Sequence, residues 1–291
     1  MEALRRRIEV RVMSLSGLAL GQIDYEHPEG DPGLFGPEPM PWEVHSDFTS
    51  MLVGGIASLL LQMLHPLALA GVWEHSNFRQ DMLGRLRRTG QFVAGTSFAP
   101  TVSADWLIDK VRSIHLKVTG TAADGRRYAA SDPALLTWVH VAEVSCFLAG
   151  YLRYLNPQLS GAEQDRYYAE IALVAERLGA TDVPKSRQAV ADYLDAMRPQ
   201  LVCDERTREI CRILLNAPAP SRSAVPISRL FMQAGIDLLP AWTQQQLGLQ
   251  QAAWQRPLIR AGVHSLAPIL RWAVRNGASH RSRKRMGLPP R

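Results

Sequence analysis

The stretch from Met51 to Leu64, Met-Leu-Val-Gly-Gly-Ile-Ala-Ser-Leu-Leu-Leu-Gln-Met-Leu, constrains the fold more than any other part of the chain. As a helix it has almost no polar face to offer water, so it must lie inside a core or a membrane. A bilayer span needs about 20 apolar residues. This run ends at His65-Pro66 after 14, and Gln62 already interrupts it. The reading is therefore a central core helix broken at Pro66, since proline lacks an amide hydrogen and disfavours helix in the residue before it. Gly54 and Gly55 leave room for something flat or bulky to approach its backbone.

The chain around that helix predicts an all-α fold in one large helical domain. Alternating apolar and polar runs bounded by turns are missing, and Ala, Leu and Arg are abundant, which favours helix. The hydrophobic fraction, 46% of 291 residues, is ample for a core. A short helix over residues 1–20 precedes a Gly- and Pro-rich arm or loop at 21–41. Ser103 and Gly120 bracket a helix, as cap and stop, with Leu107, Val111, Ile114 and Val118 as its apolar stripe. Asp132-Pro133 opens the next helix as N-cap and first-turn proline. That helix carries Trp138-Val139-His140 and runs through Tyr151 or beyond. Further antiparallel helices cover 162–178, with Gly179 as stop, a segment after Pro184, and 204–215. The last lie around 226–238, 241–247 and 254–275.

Candidate chemistry gathers between residues 85 and 120. Arg85, Arg88 and Thr89 stand at i, i+3 and i+4 and share a helix face. That face suits a bound anion, an oxygen species or a haem propionate; as a charge run it equally suits plain solvation. His115 lies beside the stripe of the following helix, with Arg112 one turn before it and Thr119 one turn after. It reads either as an axial iron ligand or as a core histidine hydrogen-bonded to a carbonyl. Neutral imidazoles bind iron, zinc or copper, and His65, His75 and His140 share the same half of the chain. The set has neither H-E-x-x-H nor Glu-x-x-His spacing. Glu74 and Glu143 are the nearest carboxylates in sequence. The chain also lacks G-x-S-x-G, P-loop and G-x-G-x-x-G elements, which argues against the common hydrolases, NTPases and dinucleotide-binding enzymes.

The net charge of +6 is unevenly placed. Beyond Asp237 there are nine Lys or Arg and no acidic residue, so the preceding chain is slightly acidic. Such a basic end is either solubilising or an attractor of anionic membrane, nucleic acid or acidic partners. Its terminal run, Arg281-Ser-Arg-Lys-Arg285, has no interleaved aromatics, which disfavours nucleic acid. Cys146, Cys203 and Cys211 form no C-x-x-C pair or disulfide framework. Met1 to Arg7 leads into Ile-Glu-Val-Arg-Val rather than the apolar run of a signal peptide. Both point to a cytoplasmic protein.

Several pieces in order resemble the rubber-oxygenase (latex-clearing protein) catalytic-domain family, also called the oxygenase MpaB family. They are His65-Pro66, Gly71-Val-Trp-Glu-His75-Ser76, Arg85-Leu-Arg-Arg-Thr89, Val111-Arg112-Ser-Ile-His115, and Tyr128-Ala-Ala-Ser-Asp132-Pro133 with Trp138-Val139-His140. The resemblance covers roughly residues 45 to 275. It implies a helical catalytic domain at 45–275, which leaves an N-terminal helix and Gly/Pro-rich arm at 1–44 and a basic tail at 276–291, whose Arg281–Arg285 run reads as disordered or surface-bound. It further implies a globin-like core with haem b and an oxygenase acting with dioxygen on a small apolar substrate, by cleavage of an isoprenoid carbon–carbon double bond. By position, His115 is then the proximal iron ligand, and Arg85 and Thr89 lie on the distal side. Arg112 helps hold the haem or its histidine, and Arg88 joins the cofactor-binding set. Glu74 is a guess for a base. A small intracellular lipid or terpenoid fits a chain without an export signal better than polymeric rubber.

Two other readings stay open. One is a non-haem metal held by His65, His115 and His140. The other is a non-catalytic helical protein at a membrane surface, with the last long helix lying on lipid; alternatively that helix packs on the core and shows its arginines to water.

Overall fold

The computed structural model describes residues 1–15, 17–219 and 221–289. Among them, fourteen α-helices and one small hairpin make an all-α fold. Helix α1 (Glu2–Leu15) leads into an irregular arm, and α2 (Met40–Val44) closes it. Asp47 caps α3 (Phe48–Gln62) by accepting from the Ser50 amide. The break at Pro66 is present: α4 (Pro66–His75) turns 103° away from α3. Asp81 caps α5 (Met82–Phe98), and Ala99-Pro100 returns the chain into α6 (Thr101–His115).

Here the structure corrects the sequence reading. Ser103 lies within the first turn of α6, and the helix stops at His115 instead of Gly120. The cause is pairing further along the chain. β1 (Thr119–Thr121) zips antiparallel onto β2 (Arg127–Ala129), which takes Thr119 and Gly120 out of the helix. Gly120 serves that hairpin, since a Cβ there would sit 2.6 Å from the Tyr128 hydroxyl. The buried stripe of α6 is Ala104, Leu107 and Ile108, continued by half-buried Val111 and His115; Ile114 is 50% exposed.

Asp132 caps α7 (Pro133–Tyr154), accepting from the Leu135 amide at 3.1 Å. α8 (Gly161–Leu178) starts in a Ser160/Glu163 capping box and ends at left-handed Gly179. Then come α9 (Arg187–Met197), α10 (Glu205–Leu215), α11 (Val225–Leu238), α12 (Ala241–Leu247), α13 (Gln255–Ala273) and α14 (Ala278–Arg285).

The centre is α3 laid antiparallel against α7. Two glycines let their backbones touch: a Cβ on Gly54 would meet the Cys146 carbonyl at 2.8 Å, and one on Gly150 would meet the Ser50 carbonyl at 2.6 Å. The space at Gly54 is thus filled by α7 and not left for a flat ligand. Further along, Trp138 Nε1 donates to the Gln62 carbonyl at 3.3 Å, and Gln62 Nε2 donates to the Val139 carbonyl at 3.1 Å. Both bonds satisfy polar groups that burial would otherwise penalise. α7 is long and apolar enough to cross a membrane, but 72% of its most apolar window is buried within this fold. The main core joins α3, α4, α7, α10 and α11.

The C-terminal region also departs from expectation. The Arg281–Arg285 run belongs to α14, with Arg283 and Arg285 buried. The arm provides what a buried guanidinium requires. Arg285 donates to the carbonyls of Asp31 at 2.8 Å, Tyr25 at 2.7 Å and Phe98 at 2.9 Å. Arm, α5–α6 turn and C-terminus thereby close one apolar cluster around Tyr25, Trp42 and Phe98.

Candidate active site

The α5–α6 hairpin sets the site. Gly95 faces Leu107 so closely that a Cβ there would overlap the leucine side chain. From this contact, α5 runs back ten residues to Arg85, and α6 runs forward eight to His115. At about 1.5 Å per residue these rises are roughly 15 and 12 Å, so Arg85 and His115 reach the same open end of the hairpin.

His115 is half-buried, its ring makes no hydrogen bond among the described residues, and its Nδ1 is buried without a partner. Burial lowers its pKa from the ordinary histidine value, which keeps the ring neutral at pH 7. The carbonyl bond of an ordinary core histidine is therefore not made here. An unpartnered buried ring nitrogen costs free energy, on the order of 1–3 kcal/mol, unless something else meets it.

Arg85 is the second unusual group. Its Nη1 donates to Ser76 Oγ at 2.8 Å, and it has no carboxylate partner among the described residues. Burial, reinforced by repulsion from Arg88, pushes its pKa down to about 10. It borders an apolar cavity of about 20 Å³ with Leu59, Met63, Val72, Phe78 and Ile210. That is room for one water-sized molecule. The remaining residues of the cluster turn outward. Arg88 is exposed, bonded to Asn77 Oδ1 at 3.1 Å and paired with Asp81 at 3.5 Å. Thr89 is exposed. Arg112 is exposed and paired with Asp109 at 3.7 Å.

The other histidines are used separately. His65 caps α4, where its Nδ1 accepts from the Ala68 amide at 3.4 Å, and it packs on Trp138 with ring centroids 5.8 Å apart. Burial, helped by Arg126, pushes its pKa down to about 4. His75 Nε2 lies 3.1 Å from the Tyr128 hydroxyl and ties α4 to the β-hairpin. Glu74, the guess for a base, is exposed and paired with Arg206 at 3.4 Å. No three His, Cys, Asp or Glu side chains converge on a metal site among the described residues. His65, His115 and His140, read as a possible shared metal site, form no such group among the described residues: His65 caps the start of α4 at the α3–α4 corner.

Two groups that sequence reasoning missed or underweighted lie behind α5. His45 bridges Ser97 Oγ at 2.7 Å and the Tyr167 hydroxyl at 2.8 Å, and burial pushes its pKa down to about 3, with His140 adding repulsion. His140 itself is pushed down to about 4 by burial. One turn along α7, Glu143 has no hydrogen bond or ion pair among the described residues, and burial pushes its carboxyl up to about 7. The buried carboxylates Asp47 and Asp237 are different, each being held by arginine. Glu143 is thus a half-buried carboxyl whose pKa burial raises, with no cation paired to it among the described residues; the only hint in sequence was its place one turn after His140.

Residues 42–272 match the model of a family described as ER-bound oxygenase mpaB/B'/Rubber oxygenase, catalytic domain. No curated protein and no solved structure matches the chain.

Proposed function

The chain belongs to the mpaB/rubber oxygenase catalytic-domain family and is an oxygenase; from that premise we propose that it uses haem b, held by His115, to oxidise a small apolar substrate of isoprenoid or lipid type. The observation that carries the haem assignment is the neutral, unpartnered imidazole of His115 at the open end of the α5–α6 hairpin. A neutral imidazole nitrogen is the form that binds iron, and ligation removes the cost of leaving that ring unbonded.

When bound, haem supplies the redox-active iron for dioxygen chemistry. The chain supplies the surroundings. Arg85 keeps a fixed positive charge beside an apolar wall, oriented by Ser76. A cation held in low dielectric stabilises negative charge developing on oxygen far better than one in water. Leu59, Met63, Val72 and Phe78 give that cation an apolar wall, with room beside it for a molecule of the size of dioxygen or water. Arg88 and Arg112, exposed toward the same end of the hairpin, are the cations available to propionate carboxylates, and Thr89 is the nearby hydroxyl. Glu143 takes the place of Glu74 as the group able to hold or release a proton near neutral pH. Cleavage of one carbon–carbon double bond by one dioxygen gives two carbonyl ends. Both oxygen atoms are then accounted for without an outside reductant.

The test is the absorption spectrum of protein expressed with ample haem supply, beside His115→Ala. A Soret band at one haem per chain, shifted or lost in the variant, is the expected result. Oxygen uptake is then measured with isoprenoid and unsaturated lipid substrates. A colourless protein that takes up no haem overturns the proposal.

A further inference from the structure

We propose that the outer face of α13, together with the exposed face of α1 beside it, docks on the surface of an anionic lipid bilayer. The inference stands on the arrangement of charge and does not depend on haem.

α13 is 19 residues long, roughly 28 Å at a helical rise of about 1.5 Å per residue. A surface helix of a globular protein normally turns its apolar stripe to the core and its charges to water. In α13 the arginines turn their guanidinium groups toward buried aspartates, while about a third or more of each side chain stays exposed. Arg260 Nε donates to Asp237 Oδ2 at 2.7 Å, and Arg256 lies 3.9 Å from the same carboxylate. Arg271 Nε donates to Asp47 Oδ1 at 2.7 Å. Both aspartates are buried. The most exposed positions of the helix carry no Asp, Glu, Lys or Arg, and His264 is the one titratable side chain among them. Trp254 is 67% exposed, Leu258 64% and Ile269 48%, and Ala261, Ser265 and Pro268 complete the same face. Single exposed apolar residues are ordinary, but a charge-free face along a whole helix is not.

The neighbouring helix gives this face its electrostatic border. α1 packs against α13, with Arg5 Nη1 donating to the Ala273 carbonyl at 2.8 Å and Glu9 accepting from the Arg275 amide at 2.9 Å. Its two acids, Glu2 and Glu9, are engaged by Arg5 and Arg6. Arg7 and Arg11 are exposed without an ion-pair partner among the described residues, and exposed Leu4 and Val10 stand among them. An apolar face bordered by uncompensated cations fits an anionic headgroup layer, with the apolar side chains entering the acyl boundary and tryptophan at the interface. The same border disfavours a second copy. A twofold contact through this face would bring like-charged rims together.

The full chain is sedimented with vesicles of phosphatidylcholine alone and of phosphatidylcholine mixed with phosphatidylglycerol. Binding to the mixed vesicles is expected, with a blue-shifted tryptophan emission, and is at least tenfold weaker on the neutral ones. L258E/I269E, both changes on the outside of a helix, lowers it at least tenfold with an unchanged circular-dichroism spectrum. Replacing Arg7 and Arg11 by alanine lowers it by roughly 30-fold, at about 1 kcal/mol per basic residue near an anionic surface. Failure to bind the mixed vesicles overturns the proposal, as does binding indifferent to L258E/I269E. A dimer seen by sedimentation velocity without lipid, and dissociated by Ile269→Glu, overturns it in favour of a second copy.

Discussion

Glu143 shows how one side chain's surroundings set a measurable pH dependence. Its pKa in the folded chain is raised to about 7 from an ordinary 4.5 by burial. The folded state therefore binds more protons than the unfolded state between these values, and stability falls as pH rises through that window. Below pH 4.5 the penalty is absent, and above 7 it is complete, on the order of 3 kcal/mol at 1.36 kcal/mol per unit. Glu143→Gln removes the titration. Its urea midpoint should exceed that of the parent by more at pH 8 than at pH 5; an equal difference at both refutes the assignment. The buried histidines act oppositely. His45, His65 and His140 have lowered pKa values, so they withdraw stability as pH falls below the ordinary histidine value. Arg85 invites a different experiment. Arg85→Met removes a half-buried cation with no carboxylate partner among the described residues, a replacement that often leaves stability unchanged or improved. It should leave the urea midpoint level or higher while oxygen consumption with substrate falls by about 100-fold, the scale of losing one preorganised charge-stabilising group. Equal activity in Arg85→Met removes Arg85 from the chemistry. Spacing alone grouped Arg85 with Arg88 and Thr89, but only Arg85 turns inward, because Ser76 and the apolar wall lie on its side. His45 escaped notice because its partners Ser97 and Tyr167 lie 52 and 122 residues away.

At the scale of elements, two adjacent glycines of α3 have opposite meanings. Gly54 presses on the α7 backbone, whereas a Cβ on Gly55 would find nothing nearer than Phe147 Cε1 at 3.9 Å. Gly54→Ala forces the two central helices apart and should cost about 1–3 kcal/mol or more, as overpacking does. Gly55→Ala should be neutral or stabilise by up to about 1 kcal/mol through helix propensity. Paired urea melts decide it: equal effects mean that the α3–α7 contact is looser than described. Both glycines read alike in the sequence, since what distinguishes them is a helix about 90 residues away. Local signals fared better. Asp132 with Pro133, the break at Pro66 and the Gly179 stop were legible, because a cap or a proline acts on its own turn. The end of α6 was not, since the pairing of Thr119–Thr121 with Arg127–Ala129 overrides a glycine stop signal that looked sufficient.

For the molecule as a whole, chain ends that read as an arm and a loose tail instead brace the α5–α6 hairpin. Trp42 Nε1 donates to the Ser97 carbonyl at 2.6 Å, and Asp31 receives the Thr101 amide at 3.0 Å, so the arm grips the α5–α6 turn from both sides. α14 then locks the arm through the three carbonyls that Arg285 holds. One end of the hairpin is held by these arm and C-terminal hydrogen bonds, while at the other end the His115 Nδ1 is left without a partner. Arg285→Ala leaves three carbonyls without their charged donor, two of them in bonds that are fully buried. Bonds to charged groups are worth about 1.5–3 kcal/mol each before relaxation, so a net loss of at least about 2 kcal/mol is expected. Lys284→Ala is the contrast. It breaks an exposed pair with Glu26 and should cost less than about 1 kcal/mol. Limited proteolysis adds a readout specific to the arm. Residues 21–41 should be cut faster in Arg285→Ala than in Lys284→Ala or the parent, with the helical core still resistant. An arm equally protected in all three chains means that the brace resides in Trp42 and Asp31 alone, and the C-terminal helix is a passenger. Faster cutting confined to Arg285→Ala means that one buried guanidinium couples the two ends of the chain to the hairpin carrying the site.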